Sequence, residues 1–141
     1  MHEPHFTNMY AKRNVHYSIQ ICKDESYPLP EVYQGLYNPI NRRVEKELLP
    51  VLRSNGIAFV AYNPLAGGML TGKHSREDGE VPKGRFHKNK NYSDRFYKPD
   101  VFDALDKINS ACNKADISIV QASRFKICIS CKEEMSVLLC C

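Results

Sequence analysis

In residues 14–23, NVHYSIQICK, the apolar positions Val15, Ile19 and Cys22 recur at helical spacing with polar residues between them, which predicts a short amphipathic helix. Pro28 and Pro30 in SYPLPE break that pattern. In residues 31–38, EVYQGLYN, the positions Val32, Gln34 and Leu36 alternate with Tyr33, Gly35 and Tyr37. A period of two predicts a strand. The next stretch, RRVEKELLPVLRSNG, places Val44, Leu48, Val51 and Leu52 on one helical face. Asn41 is the expected N-cap of this helix, Pro50 an expected kink or early end to its hydrogen bonding, and Asn55-Gly56 its stop signal. Residues 57–63, IAFVAYN, are apolar without clean alternation, as expected of a parallel strand buried on both faces.

Helix, strand, helix, strand with tight connections is the order of α/β units built on parallel strands. Beyond Gly72 the chain turns polar and charged through KHSREDGEVPKGRFHKNKNYSDRFYKPD, a connection long enough to be either functional or disordered. After Pro99, which suits a first helical turn, Val101, Leu105, Ile108 and Cys112 form the apolar stripe of a further helix. The segment ISIVQASRFKICIS fits helix or strand, and the chain has no internal repeat.

Composition narrows the functional classes. A chain of 141 residues suits one domain or a piece of a larger one. Its net charge of +4 is spread along the chain among acids, without the concentrated patch that nucleic acid requires, so nucleic acid is not an expected partner. No apolar run approaches the roughly 20 residues of a membrane span, and MHEPHFTNMY lacks the apolar core of a secretory signal. A cytoplasmic location is expected, without a membrane partner. Four of the six cysteines, Cys128, Cys131, Cys140 and Cys141, crowd the end of the chain. Cys128-x-x-Cys131 is compatible with half a zinc site or a redox pair, but adjacent Cys140 and Cys141 suit zinc geometry poorly, and ordinary thiols are the expected reading. No metal site is assigned.

NPLAGGMLTGKH raises a sharper question, because Gly67, Gly72 and Lys73 have the spacing of a phosphate-binding P-loop. Such a loop needs a Ser or Thr after the Lys and a helix opening at once toward the phosphate. Here His74 follows the Lys, and SREDGEVPKG has no helical period. A true P-loop is therefore not expected. Taken alone, the paired glycines fit an ordinary strand-to-loop turn.

The longer strings VYQGLYN, VEKELLPVLRSNGIAFVAYNPLAGGMLTGK and KGRF together resemble the aldo-keto reductases, most of all the aflatoxin-aldehyde and succinic-semialdehyde reductase branch. The resemblance covers residues 8–123, leaving residues 124–141 as a divergent Cys-rich tail. It implies an NADP(H)-dependent oxidoreductase that reduces an aldehyde or ketone to an alcohol on a (β/α)8 TIM barrel. This chain would correspond to the part from about helix 5 to helix 7, with EVYQGLYN resembling the sixth strand and IAFVAYN the seventh. The active site of such a barrel lies at the carboxyl ends of the strands.

The resemblance assigns residues individually. Gln34 resembles the amide that binds the nicotinamide carboxamide, and Tyr62 the ring that stacks on the nicotinamide. Asn63, Pro64, Leu65, Ala66, Gly67 and Gly68 resemble the loop that wraps the cofactor pyrophosphate, which Leu70 and Lys73 extend. Arg85 resembles a basic residue near the cofactor, Asn8 the Asn of a Ser-Asn pair after strand five, and Arg95 a residue meeting an acidic substrate group. Without that context, a strand Gln or a strand-end Tyr is usually core, and a loop Arg is usually solvated.

The family's proton chemistry uses an Asp, a Tyr, a Lys and a His on early strands. Only thirty residues precede Glu31, and no catalytic tetrad fits there, so no catalytic residue is assigned. At the other end, SIVQAS should continue as LRW but becomes RFKICISCKEEMSVLLCC. That tail is expected to lack the last barrel strand and the segment that reads the 2′-phosphate. A truncated chain of this kind is expected to be inactive alone and of marginal stability, with exposed sheet edges that fit a non-catalytic isoform pairing with a full-length reductase.

Overall fold

A computed structural model describes residues 11–74, 86, 89–130 and 137–139. Helix α1 spans Ala11–Asp24 and buries Val15 and Ile19, as the apolar spacing predicts. Strand β1 is Val32–Leu36 and strand β2 is Ala58–Tyr62. They run parallel, with Gln34 level with Val60 and Leu36 level with Tyr62.

Between them, helix α2 (Val44–Ser54) departs from expectation at its start and middle. Asn41 is not its N-cap: that position is Arg43, which makes no side-chain cap bond. The Asn41 N–H instead donates to Oδ1 of Asn38 at 2.8 Å, so a side-chain turn consumes the residue before the helix begins. Nor does Pro50 end the helix, which continues through it to Ser54. The carbonyl deprived of its donor by Pro50 belongs to Lys46, and both residues are exposed, so the lost bond falls on the solvent side of the helix. Asn55-Gly56 does stop the helix. Gly56 N–H donates to the Arg53 carbonyl at 3.1 Å and Ile57 N–H to the Leu52 carbonyl at 3.0 Å, the paired bonds of a Schellman motif.

One sheet face carries the first core. Tyr33, Tyr37, Phe59 and Ala61 pack with Leu48, Leu49 and Leu52 of α2 and Val15 and Ile19 of α1. The Tyr33 and Phe59 rings stack at 6.1 Å. Gly35 lies beside that pair: a Cβ there would come within 2.8 Å of Phe59 Cε2, so only glycine lets the rings approach. On the other face, Ala58, Val60 and Tyr62 remain half-buried. Among the described residues, full burial on both faces of β2 is not realised, since helices α1 and α2 pack against the face of Phe59 and Ala61.

A second core lies at the carboxyl end of the sheet. Helix α3 (Lys90–Phe96), unforeseen within the charged stretch, contributes Phe96. Helix α4 (Pro99–Lys114) opens on Pro99 and contributes Val101, Phe102, Leu105 and Cys112. The ambiguous segment that follows is helix α5 (Ile119–Ser130). A capping box starts it: Gln121 N–H donates to Ser118 Oγ at 3.2 Å while Ser118 N–H donates to Gln121 Oε1 at 3.1 Å.

The tail contributes a short strand that the sequence pattern did not foresee, beyond the residues of the family resemblance. Strand β3 (Val137–Leu139) pairs parallel with β2, Phe59 level with Val137, giving the order β1-β2-β3. Once β1 occupies one edge of β2, the other edge offers unpaired backbone groups, and the apolar VLL segment takes them. Helix α5 also crosses residues 123 and 124 without interruption, and Ile127 is fully buried in the first core.

Candidate functional site

The candidate site sits where β1 and β2 end. Residues two apart on a strand share a face, so Gln34, Val60 and Tyr62 project from the side of the sheet opposite the helices α1 and α2. Gln34 and Tyr62 are half-buried, one strand pair apart, a rise of roughly 7 Å.

The chain leaves β2 through an unusual backbone. Asn63 and Ala66 have φ of +54° and +51°, and Gly67 and Gly68 have φ of +70° and +119°. These angles place four left-handed residues in one short turn. At Gly68 the angle excludes a side chain without strain. Short bonds lock the turn: Ala66 N–H to the Asn63 carbonyl at 2.9 Å, Gly68 N–H to the Leu65 carbonyl at 2.9 Å, and Thr71 hydroxyl to the Gly68 carbonyl at 2.6 Å. A 3-10 segment, Ala66–Thr71, carries the chain to Gly72. Lys73 and His74 are non-helical, so no P-loop helix opens there.

Asn38, fully buried, joins this turn to the preceding one, its Nδ2 donating to the Asn63 carbonyl at 3.0 Å. Its role was invisible in the hydrophobic pattern; the only trace is a polar residue before Pro39 at a strand end. His74 is the second residue the sequence reading did not assign. Its ring meets Phe86 edge-on at 5.2 Å, and its Nδ1 is buried without a hydrogen-bond partner among the described residues.

The assigned residues divide by exposure. Lys73 is exposed, while Asn63, Pro64, Leu65, Gly67 and Gly68 are half-buried at the surface of the turn. Ala66 and Leu70 are fully buried in the second core, so their side chains support the loop from beneath and only their backbone can face a ligand. Arg95 is exposed on α3, the helix that packs against the loop. Asn8 and Arg85 lie outside the described residues.

Among the described residues, Glu45 gathers several hydrogen-bond and charge partners. Arg42 donates to it from Nε and Nη2 at 2.9 and 2.8 Å, Tyr37 hydroxyl at 2.6 Å, and Lys126 Nζ lies 3.4 Å away. Arg42 first, then Tyr37 and Lys126, pull its carboxyl down to about 2 against the cost of burial. The same residues hold β1, α2 and α5 together, which makes this a structural clasp. Among the described residues no His, Cys, Asp and Glu group could hold a metal ion, and no helix is long and apolar enough to cross a membrane.

Residues 13–125 match the model of the aldo/keto reductase family. The chain belongs to the aldo/keto reductase family. It is 48% identical over 107 residues to aflatoxin B1 aldehyde reductase member 2 of Rattus norvegicus, covering 72% of this chain and 29% of that protein. It is 44% identical over 111 residues to human aldo-keto reductase family 7 member A3, covering 75% of this chain and 34% of the relative. A solved structure, the glycerol dehydrogenase of Gluconobacter oxydans, superposes with a TM-score of 0.63 at 24% identity, over 84% of this chain and 35% of the other. The chain thus spans about a third of the length of these curated relatives, and its fold is part of a (β/α)8 barrel. Strands β1 and β2 lie within the matched residues, and the turn after β2 lies at the carboxyl ends of these strands, where such barrels place their active sites.

Proposed function

We propose that Gln34, Tyr62 and the turn of residues 63–73 form part of an NADP(H) site in a protein that reduces aldehydes or ketones to alcohols in the cytoplasm. The observation that carries this reading is the turn itself: four left-handed residues at a strand end, held by Asn38. Gly68, at φ +119°, carries no side chain to shield the turn from an anionic group. The buried Nδ1 of His74 beside the turn is a further polar atom without a partner among the described residues, which suits a ligand site.

NADPH, when bound, supplies hydride to a carbonyl carbon. In this reading Gln34 binds the carboxamide, the Tyr62 ring covers the nicotinamide face, residues 63–68 hold the pyrophosphate through their backbone, Lys73 and Arg85 add positive charge, and Asn8 adds a polar contact to the cofactor. Arg95 meets an acidic group of the substrate. Aldehyde is the favoured substrate class, since the similar proteins are named aldehyde reductases. Residues 8–123 form the reductase segment, and no residue of the chain is assigned the proton transfer, so the isolated chain is inactive.

Titration of NADPH fluorescence with the full chain tests the cofactor reading. Saturable binding by the wild type, weakened at least tenfold in Gly68→Val with an unchanged circular dichroism spectrum, is the expected result. Absence of wild-type binding would refute it.

A second reading rests on the outer edge of β1, which pairs with no strand among the described residues and exposes Val32. An open edge of this kind recruits another chain. In this reading the chain is a non-catalytic isoform that docks on a full-length reductase of the same family. Co-purification with such a reductase supports it; separate elution at micromolar concentrations would end it.

A further inference from the structure

We infer that His74 is a phosphate-binding residue of the turn after β2, donating from Nε2 to the pyrophosphate group of a dinucleotide; this rests on the NADP(H) reading above. Three observations converge on it. The imidazole stands beside Gly68: a Cβ built there would lie 3.9 Å from His74 Nε2 and 3.9 Å from Phe86 Cε2. Nε2 is therefore the ring atom beside the left-handed glycine of the turn. The other nitrogen, Nδ1, is buried without a partner among the described residues. A buried N–H with no acceptor is the costlier state, so the ring proton belongs on Nε2. Finally, the ring is held: Phe86, itself buried, meets it at an interplanar angle of 87°.

A donor fixed beside a left-handed glycine turn is suited to an anion. Phosphate oxygens accept from N–H groups strongly, and a pre-oriented ring loses little entropy on binding. Lys73, adjacent in sequence, is exposed and carries a positive charge. Neither neighbour explains why the sequence carries a ring nitrogen at residue 74: Phe86 requires only an aromatic surface, and Gly68 only a van der Waals contact.

The test uses the full chain with two probes, NADPH and 2′-phospho-ADP-ribose, which carries the pyrophosphate without nicotinamide. His74→Phe keeps the aromatic packing and removes the donor; His74→Gln restores an N–H near the Nε2 position. The expected result is about tenfold weaker binding of both probes by His74→Phe, with most of the loss recovered in His74→Gln. In the wild type, the imidazole 15N spectrum should show Nε2 shifted by 2′-phospho-ADP-ribose. Equal binding by wild type and His74→Phe overturns the role of His74 and leaves the NADP(H) reading standing. Failure of the wild type to bind either probe overturns both. If His74→Phe does not fold, the wild-type spectrum decides, and an Nε2 resonance unmoved at saturation overturns the inference.

Discussion

Asn38 reaches across the end of the sheet to hold Asn63: its Nδ2 donates to the Asn63 carbonyl at 3.0 Å, while its Oδ1 accepts the Ile40 and Asn41 N–H groups at 3.1 and 2.8 Å. One buried side chain thus closes the turn after β1 and tethers the left-handed turn after β2. Asn38→Leu leaves the Ile40 and Asn41 N–H groups without their acceptor and removes one of the two bonds to the Asn63 carbonyl, which keeps the Ala66 N–H. We expect a loss of roughly 2–4 kcal/mol of unfolding free energy, read as a lower urea midpoint. NADPH affinity should fall in the same variant. An unchanged midpoint would show that the turns hold themselves.

Gly35 is constrained by its neighbours and not by its backbone angle. A Cβ would meet Phe59 Cε2 at 2.8 Å and Tyr33 Cε1 at 3.0 Å, forcing the stacked rings apart. Gly35→Ala should destabilise the chain by about 1–3 kcal/mol. The double variant Gly35→Ala, Phe59→Leu should lose less than the sum of the single changes. Strict additivity in thermal unfolding would rule out this contact as the cause.

The Glu45 clasp makes stability depend on pH in a defined window. Its carboxyl stands at about 2 in the folded state against 4.5 ordinarily, chiefly through the hydrogen bonds from Arg42. The folded state therefore binds this proton more weakly than the unfolded chain. The contribution is complete above pH 4.5, declines as pH falls, and is gone below about 2. Urea midpoints of wild type and Glu45→Gln should differ most near neutrality and converge through this window. A gap that stays constant from pH 6 to pH 2 would remove Glu45 as the source.

Ile127 lies beyond the residues that match the family model, yet its side chain is fully buried among residues of α1, α2 and the sheet. Ile127→Ala should cost about 2–5 kcal/mol. Truncation after Ser123 should be at least as damaging, because it also removes Lys126 from Glu45 and β3 from β2. Unaltered hydrogen-exchange protection of β2 in the truncated chain would show that the tail is an appendage.

The sequence by itself determined the elements whose cause is local. The period-two run around Gln34, the apolar stripes of α1, α2 and α4, the Asn55-Gly56 stop and the Pro99 start depend on backbone geometry within a few residues, and all appear in the structure. The family strings likewise placed the turn of residues 63–68 after the second strand. The Ser118–Gln121 capping box was legible too and would have resolved α5 as a helix. Tertiary structure alone decided the rest. Which face of β2 is covered, the burial of Leu70 beneath its loop, the pairing of β3 with an edge some eighty residues earlier, and the bridge from Asn38 to Asn63 all join residues far apart in the chain. Their energies come from contacts that exist only after the strands and helices have packed, so no short window of sequence contains them.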